Sequence, residues 1–508
     1  MRVPSYIRSA VAMLTLSAAL SSSGLADGLP DDFDEYITSG MAAWKIPGLS
    51  IEVVKDGAVV LAKGYGVLEA GKPEKVNEDT IFAIGSASKA FTAAAIGTLV
   101  DRNKIKWDDR VVDHWPEFRL SDPWVTNEIR VSDLLANHSG LSEAAEEIWY
   151  GTGYDRQQLI KRLADVPITQ GFRYQFQYRN LMFLAAGELI PRVIGASWDD
   201  YVTANLFQPL DMDRTTTRLV DIENQSNVAR PHLIDYAGNP LPIRYRNIEN
   251  VGPAGSILST ARSMGNWVRM LTDDGTFDGE PLLKPETLAF IVRSQTPVDT
   301  TGPGGQPLPP PRAELRAYAL SWVTESYQGT RLVWHNGSID GMSAWVGMAP
   351  DLRLGVTLLS NLDDADFRNA VFYRIVDSYT GNELTDLGPE LLKAHEAALD
   401  ERNRAELRWQ ELNDAPVSPS LPTKDYAGKY NNPTFGEVEI SLEGDQLVYR
   451  RTPTMIADLR CQEGNAFIGK YRGVTEDLRA GKIEVGFQVE GGRVTGLSEK
   501  YLQFQAVD

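Results

Sequence analysis

Cysteine is almost missing. Of 508 residues only Cys461 carries a thiol. One thiol forms no internal disulfide, so a large apolar core must hold the fold. Cys461 also lies far from every other reactive side chain, in a strand-rich tail, and reads as structural. Histidine is scarce: His114, His138, His232, His335 and His395 are the full set and fall at no metal-ligating spacing. The expectation is no metal and no cofactor. Cations are outnumbered, with 50 Lys and Arg against 69 Asp and Glu, a net charge of −19. No long basic run occurs, so nucleic acid and anionic membrane are poor partners. No Gly-x-Ser-x-Gly elbow, Walker loop or dinucleotide fingerprint is present, which removes three common enzyme classes.

What is present begins with a leader-like segment. Arg2 and Arg8 precede the apolar run from Ala10 to Leu20, and Gly24-Leu25-Ala26 offers small residues for cleavage. Residues 1–26 read as a secretory signal peptide, with a membrane anchor as the alternative. This predicts a periplasmic or secreted protein without an integral membrane segment in its mature form. The remaining length suggests two or three domains.

The rest divides by periodicity. Residues 31–44 form an amphipathic helical pattern. Leu49–Val54 and Ala58–Val67 read as strands joined by Lys55-Asp56-Gly57, a hairpin signal. Residues 95–290 are mostly helical segments and loops. Residues 296–312 are rich in proline and glycine and read as a surface insertion or a lid. Arg331–Gly337, Ser343–Ala349 and Leu354–Ser360 return to strand, and Asp364–Tyr379 to helix. Strands at both ends and helices between predict an α/β (α+β) fold, one antiparallel sheet flanked by helices with a large helical region. Pro389–Glu411 is a charged helix that bridges to a stiff linker at Pro416, Pro419 and Pro422. From Tyr426 the period becomes two: Val438, Ile440 and Leu442, then Ile483, Val485, Phe487 and Val489. That pattern predicts a small all-β barrel or sandwich. The boundaries read from these changes are 27–385, 386–422 and 423–508.

Chemistry concentrates at Ile84-Gly85-Ser86-Ala87-Ser88-Lys89. Ser86 and Lys89 stand three apart at the head of an apolar helix, on one face. A serine is a poor nucleophile until a neighbour takes its proton, and a desolvated lysine can take it. The same spacing also fits an N-cap serine with a solvated lysine. Phe176-Gln177-Tyr178-Arg179-Asn180 places a tyrosine at a loop-to-helix junction. Near a lysine its pKa would fall and it would serve as a base; a buried tyrosine with a satisfied hydroxyl is the plain alternative. Tyr245 and Tyr430 repeat the Tyr-x-Asn pattern. His335-Asn336-Gly337-Ser338 ends a strand, where glycine admits a substrate backbone and the Ser338 N–H can pair with that of Ser86 around an oxyanion. Asn137-His138-Ser139-Gly140-Leu141 reads as a structural turn.

In order, Ile46-Pro47-Gly48, Ser86-Ala87-Ser88-Lys89, Leu134-Leu135 with His138-Ser139-Gly140-Leu141, Tyr178-Arg179-Asn180, Pro253-Ala254-Gly255-Ser256, and His335-Asn336-Gly337 with Gly341 resemble the serine β-lactamase-like family. That family holds class C β-lactamases, D-aminopeptidases, related esterases and penicillin-binding carboxypeptidases. The tail from Tyr426 resembles the lipocalin-like barrel domain of some members. The resemblance implies an acylated Ser86, and proton work shared by Lys89 and Tyr178, with Tyr178 protonating the leaving group. It implies that Asn180 orients the substrate amide and Lys89, and that His335, Gly337 and Ser338 bind substrate along a strand. Where the family's β-lactamases usually carry Lys-Thr-Gly, this chain has His335-Asn336-Gly337. A histidine is mostly neutral at pH 7, and Arg179 is a weak substitute if it points to solvent. A peptidase, aminopeptidase or esterase acting on a small or peptide substrate is therefore favoured. A β-lactamase or D-Ala-D-Ala carboxypeptidase, and a non-catalytic binding protein of the same fold, are the alternatives. Oligomeric state is left open.

Overall fold

The structure, a computed structural model, describes residues 28–299, 313–363, 365–500 and 502–507. The leader read at 1–26 lies outside the described residues, as does 300–312 of the proline-rich segment. The first helix, α1 (Phe33–Trp44), buries Phe33, Ile37, Met41 and Trp44 on one stripe and stops at Lys45, whose φ is 58°. Strands β1 (Gly48–Lys55) and β2 (Ala58–Gly66) form the expected hairpin. Asp56 and Gly57 both take positive φ, 52° and 79°, which a two-residue hairpin turn needs.

Helix α2 (Ser88–Asp101) is buried on every side. Its run of Ala90, Ala93, Ala94 and Ala95 lets neighbouring helices close in all round. Among those neighbours is α3 (Asn180–Ile194), which ends at the left-handed Gly195. Helix α4 (Ala261–Thr272) is capped by Thr260, whose side chain accepts from Ser263 N.

The remaining strands are β3 (Thr296–Pro297), β4 (Ala313–Tyr318), β5 (Val323–Tyr327), β6 (Thr330–Ile339), β7 (Met342–Ala349) and β8 (Leu354–Ser360). They join β1 and β2 in one antiparallel sheet of order β2-β1-β8-β7-β6-β5-β4-β3. Both ends of this region build it, as the strand pattern predicted. Helix α5 (Phe367–Thr380) packs with α1 on one face, and α4 on the other. The sheet thus separates two apolar cores, one under α1 and α5 and a larger one around α2 and α3. Strand β5 pairs with β6 only as far as Trp334. Residues 335–339 of β6 therefore have a free edge, and that edge faces the head of α2.

Helix α6 (Gly388–Asp414) touches α5 at one end and the tail at the other. The tail is a closed eight-stranded barrel, from β9 (Gly428–Asn432) round to β16 (Leu502–Ala506), which pairs back onto β9. Its centre holds Tyr426, Phe467 and Phe487, with ring centroids 4.9–5.3 Å apart. Val438 and Ile440 point inward as the alternation predicted, while Leu442, near its strand's end, is exposed. A short helix, α7 (Val474–Ala480), lies between barrel strands and docks against the end of β6.

Candidate active site

Two glycines bring the free edge of β6 onto Ser86. Ser86 lies in a 3₁₀ turn, Gly85–Ala87, that runs directly into α2. Gly85 has φ +51°, and a Cβ there would stand 2.8 Å from Ser338 N. A Cβ on Gly337 would stand 1.8 Å from Ile84 O. Only glycine allows these two backbones to touch.

Lys89 is fully buried at the second residue of α2, one turn after Ser86. Its Nζ is 3.0 Å from Ser86 Oγ, 2.7 Å from Asn180 Oδ1 and 2.8 Å from the Ala254 carbonyl. Burial draws its pKa well below that of an ordinary lysine, against the opposing pull of Glu146. The Tyr178 ring lies 4.7 Å from Nζ. The expected fall in the Tyr178 pKa is reversed. Burial pushes the phenol up, the Ser86 side chain only partly offsets it, and Glu146 adds to the rise.

The loop bearing Tyr178 is clamped by the turn at 137–141. Gln177 N donates to the Asn137 carbonyl at 2.7 Å, and Arg179 N to Asn137 Oδ1 at 3.0 Å. Arg179 does not reach solvent. It is buried, with Nε donating to the Leu141 carbonyl and Nη1 to the Tyr178 carbonyl. His138 bonds Asp133 at 2.8 Å, Tyr245 donates to the Ala229 carbonyl, and Tyr430 to the Tyr426 carbonyl. These repeats of the motifs serve packing.

Ser86, Tyr178, Asn180 and Ser338 line one cavity of about 940 Å³. His335 and Gly337 do not, which corrects the expectation that they contact substrate. Gly337 is pressed onto Ile84. His335 is 2 % exposed, with Nδ1 at 2.5 Å from the Asn336 carbonyl and Nε2 at 3.0 Å from the Tyr318 hydroxyl. The first contact needs an N–H at Nδ1; in the neutral ring Nε2 then accepts from Tyr318. Burial, with Lys89 nearby, lowers its pKa to about 3. The ring stands behind Tyr178, with centroids 6.2 Å apart.

Two things were missed in the sequence. Glu146 also lines the cavity and accepts from Asn180 N, Asn180 Nδ2 and Trp149 Nε1 at 2.8, 2.5 and 3.0 Å. The barrel supplies much of the opposite wall, including Met455, Tyr471, Arg479, Lys482 and Lys500. Asp340, with no side-chain exposure, holds that wall in place. It accepts from Tyr150 Oη at 2.9 Å, pairs with Arg479 Nε at 3.0 Å, and also pairs with Arg246. Arg246 continues to Glu476 on α7 at 2.6 Å. Among the described residues no cluster of His, Cys, Asp and Glu is placed to hold a metal, and no single helix is long and apolar enough to cross a membrane.

Comparison with known proteins covers both parts of the chain. The family model described as Beta-lactamase matches residues 33–379. A second, described as a domain of unknown function (DUF3471), matches residues 412–507, the barrel and the end of α6. An unguisins hydrolase of Aspergillus campestris is 28% identical over 441 residues, which cover 82% of this chain and 78% of that protein. The protein Flp of Staphylococcus aureus (strain N315) is 24% identical over 344 residues, covering 67% of this chain and 64% of Flp. The solved octameric penicillin-binding protein homologue from Pyrococcus abyssi superposes with a TM-score of 0.60 at 21% identity, covering 93% of this chain and 99% of that one.

Proposed function

The chain belongs to the beta-lactamase family of serine hydrolases, and from that premise we propose that it is an exported peptidase or esterase that acts through an acyl-enzyme on Ser86. The observation that carries this is Lys89 Nζ at 3.0 Å from Ser86 Oγ, in a buried setting that favours the neutral amine. Ser86 Oγ attacks the acyl carbon while its proton passes to Lys89. The bond from that carbon to the leaving nitrogen or oxygen breaks. Tyr178, which lines the same cavity with its ring 4.7 Å from Lys89 Nζ, relays the proton from Lys89 to the leaving atom. A water then adds to the ester, its proton following the same route in reverse, and the acid is released from Ser86.

The oxyanion would lie between the N–H groups of Ser86 and Ser338. Arg368 Nη1 donates to the Gly337 carbonyl at 3.1 Å. A trans peptide then turns the Ser338 N–H the opposite way. The neutral, fully engaged His335 favours neutral acyl donors, such as aminoacyl amides and short esters. Similarity to an unguisins hydrolase supports hydrolysis of the acyl-enzyme. A second reading, a β-lactamase or D-Ala-D-Ala carboxypeptidase, is favoured by Arg479, a permanent cation in the cavity wall. A fluorophosphonate probe tests the nucleophile: labelling at Ser86 is expected, and its absence with active-site integrity intact would favour a non-catalytic binder. A screen over D-aminoacyl amides, short esters and a chromogenic cephalosporin separates the two substrate classes.

A further inference from the structure

Two of the three donors on Glu146 leave no choice of direction. A main-chain N–H and an indole N–H can only donate. Asn180 N reaches Oε1 and Trp149 Nε1 reaches Oε2. Both oxygens are therefore acceptors, which suits an ionised carboxylate; burial raises the Glu146 pKa, and these donors and Lys89 work against that rise. The third partner, the Asn180 side chain at 2.5 Å from Oε2, must then present its NH₂ group. A side-chain amide is otherwise free to face either way; here Glu146 decides it. The Asn180 oxygen is turned to Lys89, 2.7 Å away. With the Ala254 carbonyl at 2.8 Å, Lys89 has two partners that only accept.

A neutral amine carries two N–H groups and one lone pair. Both N–H groups are taken, and the direction left over runs 3.0 Å to Ser86 Oγ. We infer that Glu146 is a positioning residue: through the Asn180 amide it fixes the Lys89 amine so that its lone pair faces the Ser86 hydroxyl. The same arrangement occupies the Asn180 NH₂ group, which leaves Asn180 to orient Lys89 and not the substrate amide. It also keeps a carboxylate one residue away from the lysine, since direct contact would hold the ammonium form. The other titratable groups around Lys89 and Glu146 are Tyr178 and His335 in the body, with Arg479, Lys482 and Glu499 across the cavity. Glu147 also lines the cavity, where it pairs with Arg451 and Lys500.

The inference deepens the acyl-enzyme reading and rests on it. The test uses the full chain, a fluorophosphonate probe and a neutral short ester, from pH 5 to 10. Native protein that does not label at Ser86 overturns both readings. With labelling established, Glu146→Gln replaces one acceptor oxygen by a donor, so the Asn180 amide must reverse and offer N–H to Lys89. The expected result is a fall of about 10²-fold in labelling rate and kcat, with KM changed much less. Adding Asn180→Asp to Glu146→Gln restores an acceptor towards Lys89 and a donor–acceptor match between the pair. The double variant should recover at least about tenfold over Glu146→Gln. Its rising pH limb should move to higher pH, because the new carboxylate touches Lys89. A merely structural glutamate predicts neither recovery nor a moved limb. Labelling of Glu146→Gln at the native rate, a double variant no faster than Glu146→Gln, or an unmoved limb overturns the inference. Should Glu146→Gln not fold, Asn180→Asp takes its place as reference, and a double variant no better than Asn180→Asp overturns the inference.

Discussion

The two walls of the cavity handle charge in opposite ways. On the body side, Lys89 touches a hydroxyl, an amide and a carbonyl, and among the described residues it forms no ion pair. Where the barrel docks, its Arg479 and the body's Arg246 are both set directly on Asp340, and the barrel's Arg451 is buried beside Glu147 and Glu499. The difference follows from what each group does. A lysine that must gain and lose a proton is kept off carboxylates, which would lock it charged. An arginine never changes charge at working pH, so a carboxylate can hold it without cost to the chemistry. Reactivity is built from neutral contacts on one wall, and docking from permanent charges on the other.

Four experiments break or sharpen that contrast. Ser86→Ala should remove hydrolysis by about 10⁴-fold or more while the melting temperature stays near native, read by steady-state kinetics and calorimetry. Asp340→Ala attacks the other wall. It strips one partner from each of two arginines and from Tyr150, and should cost roughly 3–5 kcal/mol in denaturant unfolding. His335→Gln tests the neutral side through pH. The folded-state pKa of His335, about 3, lies below its unfolded value, so the unfolded chain binds the extra proton first. Stability is whole above about pH 6.5 and is lost as pH falls towards 3, by about 2 kcal/mol at pH 5. The variant should flatten that slope in urea titrations at pH 7 and pH 5. The smallest effect belongs to Arg479→Met. It should move the kcat/KM ratio away from carboxylate-bearing donors by about tenfold, which is about 1.4 kcal/mol; an unchanged ratio would take Arg479 out of substrate selection.

Local patterns were legible because they are local. The Asp56-Gly57 hairpin, the alternation at Ile483–Phe487 and the Ser86–Lys89 spacing each need only a few neighbours. Tyr178 was legible as a residue, but its pKa direction was not. Sequence showed a lysine nearby and could not show how deeply both would be buried. His335 was read as a strand residue facing substrate, yet its ring turned inward because Tyr318 and the Asn336 carbonyl take both nitrogens. Glu146 had no signal of its own in a chain with so many acids. Its i,i+3 spacing to Trp149 was visible, but the contact with Asn180 spans loops. The barrel's part in the cavity depends on docking through Asp340, which no periodicity encodes.

The reach of that wall along the chain has a consequence for timing. The nucleophile stands at residue 86, while wall residues run from Met455 to Lys500. A ribosome working at about 5–20 residues per second makes Ser86 roughly 20 to 80 s before Lys500. Until then the head of α2 can meet β6 only as an open edge. The enclosed site is therefore a late product of synthesis, and any growing chain that folds early passes through a stage with a nucleophile and no far wall to choose what reaches it.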